Sequence, residues 1–203
     1  MQNLSPSTLS SVNLSVRIGN TPLQSIYLII NKTARQVYLK LEGKNPAGSV
    51  KDRTAYALIQ DLEERGVLND KSIVVESTSG NLGVALAYIC RAKGLNFLAV
   101  VDPKATQENL ARMRTFGARI EMVHECDSSG GYLLARLERV KELCRSSERY
   151  VWTDQYSNPA NPYAHYSATA PEIYRQWEAR SVQFLLLSQR EEHWLASVAT
   201  SVK

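Results

Sequence analysis

Two kinds of apolar run alternate along the middle of this chain, and glycines punctuate them. From Val50 onward, Ala55, Leu58, Ile59 and Leu62 form one stripe at helical spacing that stops at Gly66. Ile73-Val74-Val75 reads as a short buried strand, and Leu82 to Ile89 as a helix that Gly94 terminates. The pattern then repeats. Phe97 to Val101 is a strand, Gln107 to Phe116 a helix closed by Gly117, Ile120 to Val123 a strand, and Tyr132 to about Cys144 a helix. Strands alternating with helices predict βαβ units, hence an α/β fold built on a parallel sheet. In such sheets ligands collect beyond the carboxyl ends of the strands, where Ser77 to Asn81 fall.

Two segments carry chemistry. In Asn45-Pro46-Ala47-Gly48-Ser49-Val50-Lys51-Asp52-Arg53, Pro46 and Gly48 mark a tight loop and Ser49 is a good N-cap, so Lys51 falls in the first turn of a helix. The partial positive charge of a helix N-terminus disfavours an ammonium there, which eases formation of the neutral amine that carbonyl chemistry requires. The second segment is Glu76-Ser77-Thr78-Ser79-Gly80-Asn81-Leu82-Gly83. Small hydrogen-bonding residues entering a helix N-terminus offer N–H groups and hydroxyls to an anion, a carboxylate or a phosphate. Read singly, each segment also fits a plainer role, a solvated lysine or a capping turn with nothing bound.

With Ile18-Gly19-Asn20-Thr21-Pro22-Leu23 upstream and Asp154-Gln155-Tyr156-Ser157-Asn158-Pro159-Ala160-Asn161-Pro162 downstream, these segments resemble the cysteine synthase/cystathionine β-synthase group of fold-type II pyridoxal-phosphate enzymes, over about residues 15 to 176. Thr78-Ser79-Gly80-Asn81 favours the β-replacement members over threonine dehydratases and threonine synthases. Ser77, Leu82, Val100-Val101-Asp102-Pro103, Gly117-Ala118-Arg119-Ile120-Glu121-Met122-Val123 and Gly130-Gly131-Tyr132-Leu133 resemble a siderophore-pathway subfamily. These are the N-(2-amino-2-carboxyethyl)-L-glutamate synthases, which join O-phosphoserine to glutamate on the way to 2,3-diaminopropionate.

The resemblance implies a tryptophan synthase β-like fold with pyridoxal 5'-phosphate as cofactor. Lys51 would bind the cofactor and then remove the substrate α-proton. Asn81 would hydrogen-bond the cofactor ring hydroxyl, while Ser77, Thr78, Ser79, Gly80 and Gln155 would grip the α-carboxylate of an O-activated L-serine, O-phosphoserine or O-acetylserine. Loss of the leaving group gives an aminoacrylate, to which an amino-acid amine adds. Sulfide as nucleophile, as in a cysteine synthase, stays open, as does a non-catalytic remnant. The resemblance further implies a homodimer acting on small-molecule amino acids. It places residues 1–45 and 157–176 in a larger domain, and residues 46–156 in a smaller movable one.

Residues 177–203 are expected to lie outside this resemblance. The later family motifs, a glycine-rich phosphate loop and a serine facing the pyridine nitrogen, do not appear. Back-translated and shifted by one base, Ser188 to Leu195 reads Ser-Thr-Gly-Gly-Thr-Leu-Ala with permitted codons. The expectation is therefore a truncated chain frameshifted near codon 177, with a genuine short C-terminal helix as the alternative.

Competing chemistries fail on particular residues. Gly43 to Gly48 has the glycine spacing of a phosphate-binding P-loop, but Ser49 stands where its lysine belongs. His124, Glu125 and Cys126 are adjacent rather than at metal-ligand spacing. A formal charge of +4 without a basic-aromatic stripe points away from nucleic acid, and apolar stretches such as Tyr27-Leu28-Ile29-Ile30 are too short to span a membrane. Cys90, Cys126 and Cys144 suit neither a disulfide scaffold nor zinc, and a reducing cytoplasm is expected. Arg112 and Arg114 read as a solvated helix face, and His165 as a structural histidine.

Overall fold

The computed structural model describes residues 17–128 and 130–177. The chain opens with a two-stranded antiparallel hairpin, β1 (Leu23–Ile30) and β2 (Thr33–Lys40). Its two-residue turn places both Asn31 and Lys32 at positive φ, 52° and 61°, the backbone twist that matches right-handed strands. A 3₁₀ turn at Glu42–Lys44 leads into α1 (Lys51–Glu64).

The central region follows the predicted alternation through β3 (Ile73–Ser77), α2 (Asn81–Lys93), β4 (Asn96–Val101), α3 (Gln107–Thr115), β5 (Arg119–Met122) and α4 (Leu133–Ser146), and adds a strand the sequence reading did not contain, β6 (Tyr150–Trp152). The four strands form a parallel sheet in the order β5-β4-β3-β6. After β5 the chain crosses back to lie on the other side of β3. The strand order therefore reverses between β3 and β6, a switch point of the kind that opens a crevice at the carboxyl edge.

The alternation of side chains along β4 explains how both faces are covered. Phe97, Ala99 and Val101 join Val74 beneath α1, α2 and α3, where Leu58, Ile59, Leu86, Ile89 and Met113 are fully buried. Leu98 and Val100 join Ile73 and Val75 on the opposite face, against Val140 and Leu143 of α4. Each such aliphatic side chain contributes about 1.5–3 kcal/mol by burial. The stripe Ala55, Leu58, Ile59, Leu62 is entirely buried, as its spacing predicts. Gly66, Gly94 and Gly117 all adopt positive φ just past helix ends.

After β6 come a short helix α5 (Ala160–Ala164), one π-helical turn (His165–Thr169) and α6 (Ala170–Trp177). Trp177 ends α6 and its ring lies 5.7 Å from that of Tyr38 on β2, so the first residue of the segment expected to lie outside the resemblance packs on the hairpin. The reconstructed Ser188 to Leu195 segment falls outside the described residues. No described helix is long and apolar enough to cross a membrane.

Candidate active site

The loop before α1 is closed by its own side chains. Asn45 Nδ2 donates to Ser49 O (3.1 Å), Asp52 Oδ2 accepts from Ala47 N (2.5 Å), and Gly48 turns the chain at φ +81°. The helix starts at Lys51, with Val50 rather than Ser49 in the capping position. Ser49 still contributes, since its Oγ accepts the Lys51 N–H at 3.2 Å. Lys51 is half-buried at the first position of α1, with Asp52 and Arg53 fully inside.

Arg112 does not lie on a solvated face. It is half-buried, and its Nη2 donates to Ala47 O at 2.6 Å, because α3 packs where its guanidinium can satisfy a carbonyl of the lysine loop. One turn earlier on the same helix, Asn109 Nδ2 reaches Ser79 O at 3.5 Å. Helix α3 thus joins the lysine loop to the small-residue loop that follows β3.

That second loop begins buried and ends exposed: Ser77 and Thr78 are inside, Ser79 and Gly80 half-buried, and Asn81 exposed as the first residue of α2. Two of its N–H groups are already engaged, Ser77 N by Glu76 Oε1 (2.7 Å) and Thr78 N by Val100 O (3.0 Å). No side chain caps α2, and Ser77 Oγ is buried without a hydrogen-bond partner. A buried unpaired hydroxyl costs about 1–3 kcal/mol. Arg136 of α4 donates from Nη1 to Ser79 Oγ (3.2 Å) while its Nε lies 3.3 Å from Asp102 Oδ2.

Gln155, in the loop after β6, meets this segment directly: its Nε2 donates to Ser77 O at 2.9 Å. The backbone carbonyl of Gln155 accepts from Asn161 Nδ2 (2.9 Å), and Asn161 Oδ1 accepts from Thr54 Oγ1 on α1 (3.1 Å). The lysine helix, the β3 loop and the β6 loop are therefore stitched together from two sides. Lys51, Ser77 to Asn81 and Gln155, the site residues implied by the resemblance, all lie on these three segments. Among them, Ser77 and Gln155 hydrogen-bond to each other directly.

Sequence reasoning assigned no role to Glu76, Arg53, Arg136 or Asn161, since isolated polar residues carry no periodic signal. Burial pushes Glu76 above the usual carboxylate range, opposed by hydrogen bonds from Thr153, Gln155, Trp152 and Ser77. His165 sits in the π-helical turn, with Nδ1 3.1 Å from Thr169 Oγ1. Burial, then the positive charges of Lys51 and Arg53, hold its ring below the usual histidine range. This places a neutral imidazole in the electrostatic neighbourhood of Lys51.

Residues 14–188 match the model of the pyridoxal-phosphate dependent enzymes. The chain is 47% identical over 159 residues to an N-(2-amino-2-carboxyethyl)-L-glutamate synthase of Cupriavidus metallidurans, and 45% identical over 158 residues to one of Ralstonia nicotianae. Each alignment takes in 78% of this chain and 47% of the relative, so the chain spans about half the length of the curated relatives it matches. Among solved structures, a hydrogen sulfide-producing enzyme of Fusobacterium nucleatum superposes with TM-score 0.72 at 33% identity, over 87% of this chain and 54% of that one. An O-ureido-L-serine synthase superposes with TM-score 0.67 at 33% identity, over 81% and 50%. The family match runs past Gln176, to residue 188.

Proposed function

Because the chain belongs to the family of pyridoxal-phosphate dependent enzymes, we propose that its site carries out β-replacement on an O-activated L-serine, with an amino-acid amine as the incoming nucleophile. The observation that carries this reading is the junction of a helix-leading lysine with the Ser77–Asn81 loop and Gln155, made by Asn109 and Arg112 on one side and Thr54 and Asn161 on the other. The curated relatives named N-(2-amino-2-carboxyethyl)-L-glutamate synthase support the choice of amine.

The residues present suit the cofactor. An uncapped helix N-terminus follows a run of small hydrogen-bonding residues and the buried, orphaned Ser77 Oγ, and such donors suit an anionic, hydrogen-bonding ligand. Lys51 would hold pyridoxal phosphate covalently and Asn81 would meet its ring hydroxyl. When bound, the cofactor supplies an electron sink that acidifies the substrate α-proton and labilises the β-substituent. Lys51 Nζ, released when the substrate amine takes its place, would then accept that proton.

The substrate carboxylate falls to the hydroxyls of Ser77, Thr78 and Ser79, the N–H groups from Ser79 onward, and Gln155. Gln155 can serve because one N–H of its amide remains after the other binds Ser77 O. This grip orients the Cα–H bond toward Lys51. The guanidinium of Arg136 at Ser79 Oγ favours the more highly charged of the two leaving groups, phosphate over acetate, so O-phosphoserine is preferred over O-acetylserine. Residues 46–156 would move as the smaller domain when the carboxylate is bound, against a larger domain that includes residues 1–45 and 157–176.

A product assay tests the reading. The chain is supplied with pyridoxal phosphate, O-phosphoserine or O-acetylserine, and glutamate or sulfide, and products are resolved by mass spectrometry. The glutamate adduct from O-phosphoserine is expected. Cysteine from sulfide would replace this reading with the cysteine synthase one, in keeping with the hydrogen sulfide-producing neighbour. No turnover from a chain that binds the cofactor would favour a remnant that has lost catalysis.

A further inference from the structure

We propose that Glu76 is a positioning residue for recognition of the substrate carboxylate, holding the Ser77–Gly80 loop and Gln155 in one relative orientation across the switch point of the sheet. The proposal rests on the β-replacement reading of the site.

Glu76 is fully buried near the end of β3. The two residues before it, Val74 and Val75, do what a central strand asks of a side chain, and a third aliphatic would continue the strand without the desolvation cost of a carboxylate. What Glu76 adds is four acceptor contacts. Oε1 takes Ser77 N (2.7 Å) and Trp152 Nε1 (3.4 Å), and Oε2 takes Thr153 Oγ1 (2.5 Å) and Gln155 N (3.0 Å). One donor lies on the β3 segment and the other three lie on β6 and its following loop. β3 and β6 pair only through Ile73, Val74 and Val75, with a last backbone bond from Thr153 N to Val75 O at 3.3 Å. Beyond that point the carboxylate takes over the work of joining the two.

The consequence for Gln155 follows from peptide geometry. Thr78 N–H points to Val100 O on β4. The carbonyl of Ser77, in the same planar peptide, must point the opposite way, toward β6. There Gln155 Nε2 meets it. Glu76 fixes the backbone N–H at one end of this arrangement and the backbone N–H of Gln155 at the other. The side-chain amide of Gln155 is thereby held against the loop by its own main chain rather than by chance rotamer choice. Glutamine in place of Glu76 keeps the volume but turns an amide N–H₂ toward donors, so at least one of the four contacts becomes donor against donor.

The test compares L-serine with ethanolamine, the same amine without the carboxylate. Wild type, Glu76→Gln and Thr153→Val are loaded with pyridoxal phosphate and titrated with each amine, following the change in cofactor absorbance on amine exchange. Cofactor loading and thermal melting are measured alongside. For wild type, L-serine should bind more tightly than ethanolamine. In Glu76→Gln that preference should fall by about tenfold or more, the scale of one lost hydrogen bond to a charged group, with ethanolamine binding and cofactor loading unchanged. Thr153→Val removes a single donor, and the preference should fall by roughly threefold; it carries the test if Glu76→Gln does not fold. A folded variant with an unchanged preference, or with equal losses for both amines, overturns the role of Glu76 and leaves the reading of the site standing. A wild-type chain that does not distinguish the two amines overturns the reading of the site, and this proposal with it.

Discussion

Arg53 grips Glu172 with both arms of its guanidinium, Nη1 to Oε1 at 2.8 Å and Nη2 to Oε2 at 2.7 Å, across 119 positions of sequence. The same guanidinium reaches Glu42 through Nε (2.7 Å) and Nη2 (2.9 Å), while Lys40 Nζ lies 2.8 Å from Glu172 Oε2. A single buried ion cluster therefore ties the end of the hairpin and the 3₁₀ turn to α1, two residues past Lys51, and to α6. Removing one partner from a buried pair leaves an uncompensated charge and costs about 3–5 kcal/mol, so Arg53→Ala is expected to unfold or severely weaken the chain.

The cluster also gives the fold an acid limb. Burial alone would raise the Glu172 carboxyl, but hydrogen bonds from Arg53 and Lys40 outweigh it and hold it at about 2, against an ordinary 4.5. A carboxylate depressed in the folded state binds its proton more readily when unfolded. Its contribution is therefore complete above about pH 4.5 and is lost as pH falls toward 2, amounting to about 3 kcal/mol. Burial raises Glu76 and Asp52, which works in the opposite sense, so the single-site comparison is the informative one. Glu172→Gln should flatten the loss of stability between pH 4.5 and 2, measured by urea denaturation at stepped pH. An unchanged slope would show that Glu172 is not depressed.

Gly19 sits against the same cluster with φ +89°. A Cβ there would lie 2.6 Å from Glu172 Oε1 and 2.9 Å from Arg53 Nη1. Gly19→Ala combines that overlap with a backbone conformation unfavourable to any side chain, and is expected to destabilise by about 1–3 kcal/mol. Thermal melting reads the loss. A neutral effect would mean that the cluster yields without cost.

Lys51→Ala should abolish the covalent bond to pyridoxal phosphate while leaving the melting temperature close to wild type, since Lys51 is only half-buried. Borohydride reduction followed by peptide mass mapping decides it. A cofactor still reducibly attached to the variant would remove Lys51 from the role proposed for it.

The hairpin exposes Tyr27 at 72% and Ile29 at 83%, and its two strands pair only with each other among the described residues. Unpaired, apolar strand edges promote association. Ile29→Lys is expected to raise the concentration at which the chain stays dispersed, by light scattering, with a stability change within about 0.5 kcal/mol. A large loss of stability would reveal packing on Ile29 inside the folded chain.

The central α/β region was legible because burial imposes periods. Val74 and Val75 have to be apolar in a doubly covered strand, the Ala55–Leu62 stripe has to face the sheet, and Gly66, Gly94 and Gly117 have to take the left-handed conformation that ends each helix. The hairpin escaped notice. Asn31-Lys32 is a weaker turn signal than Asn-Gly, and both strands are largely exposed, so their sequences carry no alternation to read. Strand β6 was missed for its length, three residues.

By itself, then, the sequence determined the fold class and the family, and it marked out the segments proposed to bear the chemistry, because those depend on local periodicity and on ordered short motifs. Which residues of those segments meet was decided only in three dimensions. Arg53 and Glu172, Glu76 and Gln155, and Arg112 and Ala47 are far apart in the chain, and their partnerships arise from packing helices onto a sheet whose strand order reverses. A buried charge or amide must then find whatever partner that packing brings within reach, and nothing in its own neighbourhood of sequence names the partner.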